Sequence, residues 1–213
     1  MNPLAVVPKG PVYHDSDDKK RLESRNGIIQ AQYVFHCIEE WGPVSLLTPE
    51  IIKEAQRLAV NQIYRCAGHF RDGEVRIANV AHDPPSHARV PELVTEMCDY
   101  VNSGQNRLPV HLASYVMWRL NWIHPFFGGN GRTARSIAYL VLCGGLGFRL
   151  PGAKTIPELI VEDRSPYYDA LREADRACAA GRLDLSAMEE LVSSLLAAQL
   201  VDLYTRATGR APA

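Results

Sequence analysis

The sequence predicts an all-α domain with one small β-hairpin, and three observations lead to this prediction. Apolar residues recur at helical spacing over most of the chain, for example from Val90 to Val101. Helix-start signals precede several such stretches. The clearest is Thr48-Pro49-Glu50, which offers an N-cap, a proline at the first helical position and an acid in the first turn. Only Phe70 to Val80 has the Asp-Gly turn signal and the alternation of two paired strands.

The length and composition agree with one globular core. The chain has 213 residues, of which 46% are hydrophobic and 22% are charged, which is ordinary for a soluble domain too small to hold two large cores. The formal net charge is -1, so no general electrostatic attraction draws the protein to nucleic acid or to an anionic membrane. Any affinity for a nucleotide must therefore be local.

The cysteine pattern and the N-terminus indicate the compartment. Five scattered cysteines show no metal-ligand spacing, and we interpret them as free thiols in a reducing compartment. Neither a signal peptide nor an apolar run of membrane-spanning length is recognisable. We expect a cytoplasmic protein, and a translocated effector would share these features.

The N-terminal third is predicted to hold an arm and two helices. Residues 1–18 are rich in proline and polar residues and predict an extended arm. Residues 19–41 predict a helix with an interruption at Asn26-Gly27. A second helix is expected to start at Thr48 and to run towards Arg65.

The rest of the chain predicts further helices at 90–101, 108–124, 132–142, from Ser165, and at 186–205. Ser186 and Glu189 have the spacing of a capping box at the start of the last helix. We therefore expect a single domain over residues 19–206 and a short tail over residues 207–213.

The most informative stretch runs from His124 to Arg135, with the sequence HPFFGGNGRTAR. Pro125 disfavours helical geometry at the preceding residue, so a helix should end at about His124. Residues 128–131 are three glycines and an asparagine, which accept positive φ and let successive backbone N–H groups point into one concavity. That concavity opens onto the N-terminus of the next helix, which attracts anions.

Two arginines and the histidine complete this pattern. Arg132 and Arg135 project from the first turn of the following helix, where cations are disfavoured unless an anion is bound. His124 can exchange a proton near neutral pH. The stretch therefore predicts a phosphate site beside a general base, and the alternative is a helix–turn–helix corner whose glycines only form the turn.

The stretch resembles the signature of the Fic (Fic/Doc) family, His-Pro-Phe-x-[Asp/Glu]-Gly-Asn-Gly-Arg-x-x-Arg. Every fixed position matches except one, because Gly128 stands where the family has an acid. The resemblance is strongest over residues 48–174 and implies a Fic-like helical bundle. It also implies transfer of AMP from ATP to a hydroxyl side chain of a target protein, although some members use other nucleotides or groups, or remove the modification.

The resemblance assigns roles within the signature. His124 would be the base that deprotonates the target hydroxyl, as its ordinary pKa near 6.5 allows. The loop of Gly129, Asn130, Gly131 and Arg132 would form the anion hole, and Arg135 would bind the terminal phosphate. Arginine suits this role because its forked donors match phosphate oxygens.

Two segments outside the signature gain roles by the same resemblance. The predicted hairpin would be a flap on which Val75, Arg76 and Ile77 pair with an extended segment of the target protein, and a plain connector is the alternative. The residues from Arg164 onward would close one wall of the nucleotide site.

Gly128 leaves the metal requirement open. In the family, the acid at this position orients Mg²⁺ on the α- and β-phosphates, and glycine has no ligand to offer. Mg²⁺ keeps several waters and needs few carboxylates beside phosphates, so ATP is the expected donor and Mg²⁺ stays possible. Three outcomes are open: activity with poorer metal dependence, a different donor or chemistry, or a phosphate ligand that is bound without turnover.

Many Fic proteins also carry an inhibitory helix, [Ser/Thr]-x-x-x-Glu-[Gly/Asn], whose glutamate pairs with the second signature arginine. Glu23 lies where one class of the family places this motif, although Lys19 replaces the Ser or Thr. Glu190 is a second, weaker match. The alternative for both is a solvated glutamate on a helix surface.

Overall fold

The computed structural model describes residues 11–42, 45–77, 82–104 and 106–210. In these ranges the chain forms one short 3-10 helix, His87–Arg89, and eight α-helices: α1 (Ser16–Glu39), α2 (Pro49–Ala59), α3 (Val90–Asn102), α4 (Pro109–Ile123), α5 (Asn130–Leu146), α6 (Ile156–Glu162), α7 (Ser165–Ala179) and α8 (Ser186–Thr208). The predicted all-α class is confirmed.

Helices α4 and α5 form the centre of the bundle. Every residue of α4 from Leu112 to Trp118 is buried, as expected for a helix that is apolar on nearly all sides. Helix α5 packs along α4, while α1 and α2 cover α5, and α3, α7 and α8 cover α4. The loop between the two central helices is the signature stretch, so the core holds the candidate site in place.

Two glycines let α5 approach its neighbours closely. We expected this helix over residues 132–142, with the glycine-rich run 144–147 at its end; it continues to Leu146 and ends at Gly147, whose φ is +80°. A Cβ at Gly144 would lie 2.7 Å from Nε1 of Trp41, and one at Gly145 would lie 2.9 Å from Cβ of Pro109. Both glycines are therefore required by packing against these residues.

Helix α1 begins earlier than predicted and has no interruption. It starts at Ser16, inside the expected arm, because the Asp15 side chain accepts hydrogen bonds from the first-turn amides of Asp17 and Asp18. It also continues through Asn26, whose side chain is fully buried and donates from Nδ2 to the carbonyl of Asn61 over 2.7 Å. Because this tertiary contact satisfies the amide, Asn26 does not compete with the helix backbone.

The predicted hairpin is wrong over residues 70–77, which form no strand, and residues 78–80 lie outside the described residues. Val75, Arg76 and Ile77 are irregular. The backbone N–H of Arg71 donates to the carbonyl of Pro125 over 2.8 Å, so the segment joins the signature loop. Since a two-stranded hairpin is marginally stable by itself, this contact outweighs the local Asp-Gly turn signal.

Two features near the C-terminus also differ from the prediction. The capping box of Ser186 and Glu189 is not formed: the Asp184 side chain accepts from the amide and hydroxyl of Ser186, and Glu189 accepts from Nδ1 of His111 over 2.6 Å. Helix α6 was not predicted, and α8 extends to Thr208, into the expected tail.

The five cysteines form no disulfide among the residues that the structure describes. In the part of the chain described, none of the helices combines the length and apolarity needed to cross a membrane.

Candidate active site

His124 ends helix α4 in the left-handed conformation, with φ 49° and ψ 57°. Its backbone N–H still donates to the carbonyl of Leu120 over 3.0 Å, and Pro125 then leads the chain away from the helix axis. The predicted end of the helix at the histidine is confirmed. Left-handed geometry is uncommon for a residue with a side chain, and the surrounding contacts must hold it there.

Arg71 supplies those contacts. Its side chain is fully buried, and its Nε donates to the carbonyl of His124 over 2.8 Å, while Nη2 is 3.3 Å from the carbonyl of Ile123. The same guanidinium donates to the carbonyls of Gly73 and Pro85. The last carbonyls of a helix lack partners within it, so the guanidinium both satisfies them and orients the histidine. Sequence analysis missed this role.

The His124 imidazole is half-buried and poised as a neutral base. Its Nδ1 lies 3.4 Å from the carbonyl of Asn121, and because a carbonyl only accepts, this contact places the proton on Nδ1 and leaves Nε2 with a free lone pair. Burial is the largest cause of a pKa of about 4 for His124; the Asn121 contact opposes this shift, and the charges of Arg71 and His82 add to it.

The loop after the histidine is closed by Asn130. Its buried side chain accepts from the amide of Phe126 at 3.0 Å and donates to the carbonyl of Phe126 at 2.8 Å. Phe126 is itself fully buried and packs 5.5 Å from the ring of Phe70. Asn130 was predicted to bind phosphate through its backbone, which leaves its side chain to hold the loop by its two hydrogen bonds to Phe126.

The loop leads directly into a helix N-terminus. Gly129 adopts a φ of +79° immediately before α5, which starts at Asn130. The first-turn N–H groups of a helix have no acceptor within that helix. The amides of residues 130–132 are such groups and can donate to an anion. The predicted nest of Gly129, Asn130, Gly131 and Arg132 therefore lies at the start of α5, at the end of the loop that begins with His124.

The two signature arginines differ in their surroundings. Arg135 lies over the ring of Tyr167 at 5.9 Å, and burial lowers the pKa of its guanidinium, an effect that a bound anion would oppose. Arg132 donates to the carbonyl of Ala59 over 3.0 Å and lies 3.3 Å from a carboxylate oxygen of Glu23. Glu23 was expected to pair with the second arginine, but it pairs with the first.

Gln56 is a further residue that sequence analysis missed. Its Nε2 donates to the carbonyl of Gly128 over 3.0 Å, and its Oε1 accepts from the amide of Gly68 over 2.6 Å. The side chain is buried, so this amide joins the signature loop to helix α2. Nothing in the local sequence around Gln56 signals the role, because both partners are distant in the chain.

The residues around Gly128 do not fit a Mg²⁺ ion held by a protein carboxylate. Gly128 has no side chain, and a Cβ added there would lie 2.5 Å from Cε2 of Tyr64. Among the residues for which the structure gives a placement, no group of three or more His, Cys, Asp or Glu could hold a metal ion. The candidate anion site offers backbone amides and guanidinium groups instead.

The expected wall of the site lies on α7. The Nδ2 of Asn121 donates to the hydroxyl of Tyr167 over 2.7 Å, and Nε1 of Trp118 donates to Asp175 over 2.9 Å. These bonds attach α7 to α4 just before His124. Tyr168, the neighbour of Tyr167, is exposed and extends this surface.

Residues 46–142 match the Fic/DOC family model, which spans the loop just described. These residues belong to the Fic/DOC family. The resemblance of the signature to Fic proteins is thereby confirmed.

Relatives and solved structures agree with the Fic assignment. A protein adenylyltransferase Fic from Nematostella vectensis is 30% identical over 113 residues, which are 51% of this chain and 24% of that protein. A Fic domain containing signaling protein from Bacteroides thetaiotaomicron VPI-5482 has a similar fold, with a TM-score of 0.72 at 20% identity, over 94% of this chain and 78% of that one.

A third similarity concerns the BepC protein of Bartonella tribocorum, a VirB-translocated effector whose crystal structure holds bound AMPPNP. The TM-score is 0.61 at 15% identity, covering 89% of this chain and 94% of that one. At this identity the likeness shows the Fic fold alone. The chain also spans only about a quarter of the length of the Nematostella relative, 24%.

We expect the imidazole of His124 to titrate near pH 4 in the ligand-free protein, because burial disfavours its charged form. Histidine-selective NMR over pH 3.5–8 would measure this, with His124→Asn assigning the signal. A His124 midpoint at about 6.5, the ordinary value, would contradict the burial argument.

The same lowered pKa has a consequence for stability. The contribution of neutral His124 is fully present above about pH 6.5 and is lost as the pH falls towards 4. The free energy of unfolding of His124→Asn should therefore fall less than that of the wild type as the pH drops from about 6.5 towards 4.

We expect Arg71→Met to lower the free energy of unfolding by about 2–4 kcal/mol, because it leaves several buried carbonyls without a donor. Arg76→Met is the matched control, since Arg76 is exposed, and it should change stability by less than about 0.5 kcal/mol. Urea unfolding followed by circular dichroism gives both values. Equal losses in the two variants would contradict the proposed role of Arg71.

Proposed function

We propose that this protein transfers a nucleoside monophosphate, with AMP from ATP as the simplest case, to a hydroxyl side chain of a target protein. The observation that carries the proposal is the half-buried His124, whose Nε2 is free, beside the glycine-rich start of α5. A base and an anion site on one short loop are what transfer of a phosphoryl group to a hydroxyl requires. The protein adenylyltransferase relatives support the same chemistry.

The donor binds through its phosphates. Backbone N–H groups of residues 130–132 donate to the phosphate oxygens at the positive end of the α5 dipole. Arg132 and Arg135 add charged, forked donors, and an anion here offsets the cost of keeping the Arg135 guanidinium buried. The bound AMPPNP of the BepC structure supports a nucleotide as donor.

The transfer then needs one base and one leaving group. Nε2 of His124 takes the proton of the target hydroxyl as its oxygen forms a bond to the α-phosphorus. The bond from that phosphorus to the bridging oxygen of the β-phosphate breaks, and pyrophosphate leaves. Preorganised amides and guanidinium groups stabilise the charge on the phosphate oxygens, and this is the main contribution that the protein makes.

The target reaches His124 along the segment that follows Arg71. Residues 75–77 have no regular structure, so the backbone groups of Val75, Arg76 and Ile77 can pair with an extended segment of the target. Arg71 connects this segment to His124 through hydrogen bonds of 2.8 Å from its backbone to Pro125 and from its side chain to His124. Binding of the target and placement of the base are thus linked by one residue.

Glu23 is the proposed inhibitory residue. Its carboxylate lies 3.3 Å from Arg132, so a phosphate must compete with it for the same guanidinium. Both side chains are partly exposed, which makes the pair weak enough to exchange partners.

A second candidate is a module that binds a phosphate ligand or nucleotide without this transfer, or that transfers or removes another phosphate-containing group. The absence of an acid at Gly128 favours it, because the residues present do not hold a metal ion by a carboxylate.

We expect protein incubated with ATP labelled on the α-phosphate to label a target in a cell lysate or itself, and the label should depend on His124. His124→Ala should reduce labelling at least about 100-fold, the scale of general base catalysis. His111→Ala is the matched control, because His111 lies on the same helix and bonds to Glu189 on α8.

The two candidates give different results in this assay. Calorimetric binding of ATP without His124-dependent labelling from any nucleoside triphosphate would support the second candidate over the first. If neither any nucleoside triphosphate nor inorganic phosphate binds, and no labelling is seen, both candidates are contradicted.

A further inference from the structure

The backbone of Gly128 does not require a glycine. Its φ lies outside the positive region in which glycine is favoured, in contrast with the φ of +79° at Gly129. Any residue could adopt the backbone of Gly128. A side chain is excluded there by a neighbour, and the neighbour is Tyr64.

The ring of Tyr64 fills the volume that a side chain at position 128 would need. A Cβ on Gly128 would lie 2.5 Å from Cε2 of Tyr64 and 3.1 Å from its Cδ2 and Cζ. The first distance is far below a carbon–carbon contact of about 3.5–4.0 Å. The nearest atoms all belong to this one ring.

Tyr64 is held in place by its own contacts. It is half-buried and packs against a small buried cluster formed by Leu22, Ala59, Val60 and Ile63, and Tyr13 and Ala67 pack against the same cluster. Its backbone N–H donates to the carbonyl of Val60 over 3.2 Å. This packing opposes movement of the ring away from position 128.

The loop cannot withdraw from the ring either. Gln56 holds the carbonyl of Gly128 at 3.0 Å, and a Cβ at Gly129 would lie 2.6 Å from Cγ1 of Val60. Both adjacent glycines thus rest on the C-terminal end of α2 and the turn after it. Gly128 and Tyr64 therefore pack closely against each other, and the contacts on both sides oppose their separation.

We propose that Tyr64 and Gly128 act as a coupled pair that excludes a metal-binding carboxylate from the phosphate loop, so that this loop binds phosphates without a protein-held divalent cation. The statement about phosphates rests on the proposed function, whereas the coupling of the two residues does not. Tyr64 is then a specificity-determining residue of the site. An acid restored at position 128 needs a smaller residue at position 64 before it can bind a cation.

The test is a double-mutant cycle with Gly128→Asp, Tyr64→Ala and the double variant. Melting temperatures measure the contact, and calorimetric affinity for ATP in EDTA and in excess Mg²⁺ measures the cation requirement. Electron paramagnetic resonance of added Mn²⁺ with ATP reports cation binding independently of activity. Tyr13→Ala, on the same cluster, is the matched tyrosine control, and Gly27→Asp, with nothing within 4 Å of an added Cβ, is the matched glycine control.

We expect Gly128→Asp to melt well below wild type and Gly27→Asp to melt close to it. Tyr64→Ala should restore part of the loss in the Gly128→Asp background, whereas Tyr13→Ala should add a further loss. The affinity of the wild type for ATP should change less than threefold between EDTA and Mg²⁺. The double variant should bind ATP at least tenfold more tightly in Mg²⁺ than in EDTA.

Two results would overturn the proposal. One is a Gly128→Asp single variant that is as stable as wild type and already requires Mg²⁺. The other is a double variant whose loss of stability equals the sum of the two single losses. If wild type does not bind ATP at all, the proposed function fails, while the melting temperatures still decide whether the two residues are coupled.

Discussion

The buried guanidinium of Arg71 is the interaction on which the site depends. Helix α4 must stop abruptly for His124 to face the anion site, and stopping a helix leaves carbonyls without partners. Arg71 donates to the carbonyls of Ile123 and His124 from a position that water does not reach. Without Arg71, the carbonyls at the end of α4 would have no donor, and nothing would offset the free-energy cost of the left-handed backbone of His124.

The charge distribution around His124 follows from the same arrangement. Arg71 lies against the histidine backbone and its charge disfavours the imidazolium, while Arg132 and Arg135 lie in the first two turns of α5. A protonated imidazole would add one more buried positive charge. This arrangement therefore favours the neutral form of the histidine, which is the form that can take a proton at the start of the proposed transfer. It also favours an anionic ligand, and a phosphate donor is such a ligand.

Local chemistry made part of this architecture predictable. Proline after His124 ends α4, glycines form the loop, and the apolar spacing of each long helix locates the core, because these effects act within a few residues. The unpredicted parts depend on partners far along the chain. Arg71 contacts His124 across 53 positions, and Gln56 contacts Gly128 across 72.

The incorrect predictions have the same origin. The Asp-Gly signal after Arg71 indicates a hairpin locally, but the buried contacts of Arg71 decide the path of that segment. The glycines at 144 and 145 indicate a helix end locally, but the packing of Trp41 and Pro109 requires them inside α5. Tertiary contacts outweigh local preference at these positions.

The proposed function requires the amides at the start of α5 and the imidazole of His124 to act on one phosphate chain. The most direct measurement is a crystal structure of the protein with a non-hydrolysable ATP analogue. We expect phosphate oxygens on the backbone amides of residues 130–132. We also expect the α-phosphorus to face Nε2 of His124 across a gap that one hydroxyl oxygen can occupy. Phosphates bound away from those amides, or an α-phosphorus on the far side of the loop from His124, would contradict the proposed function.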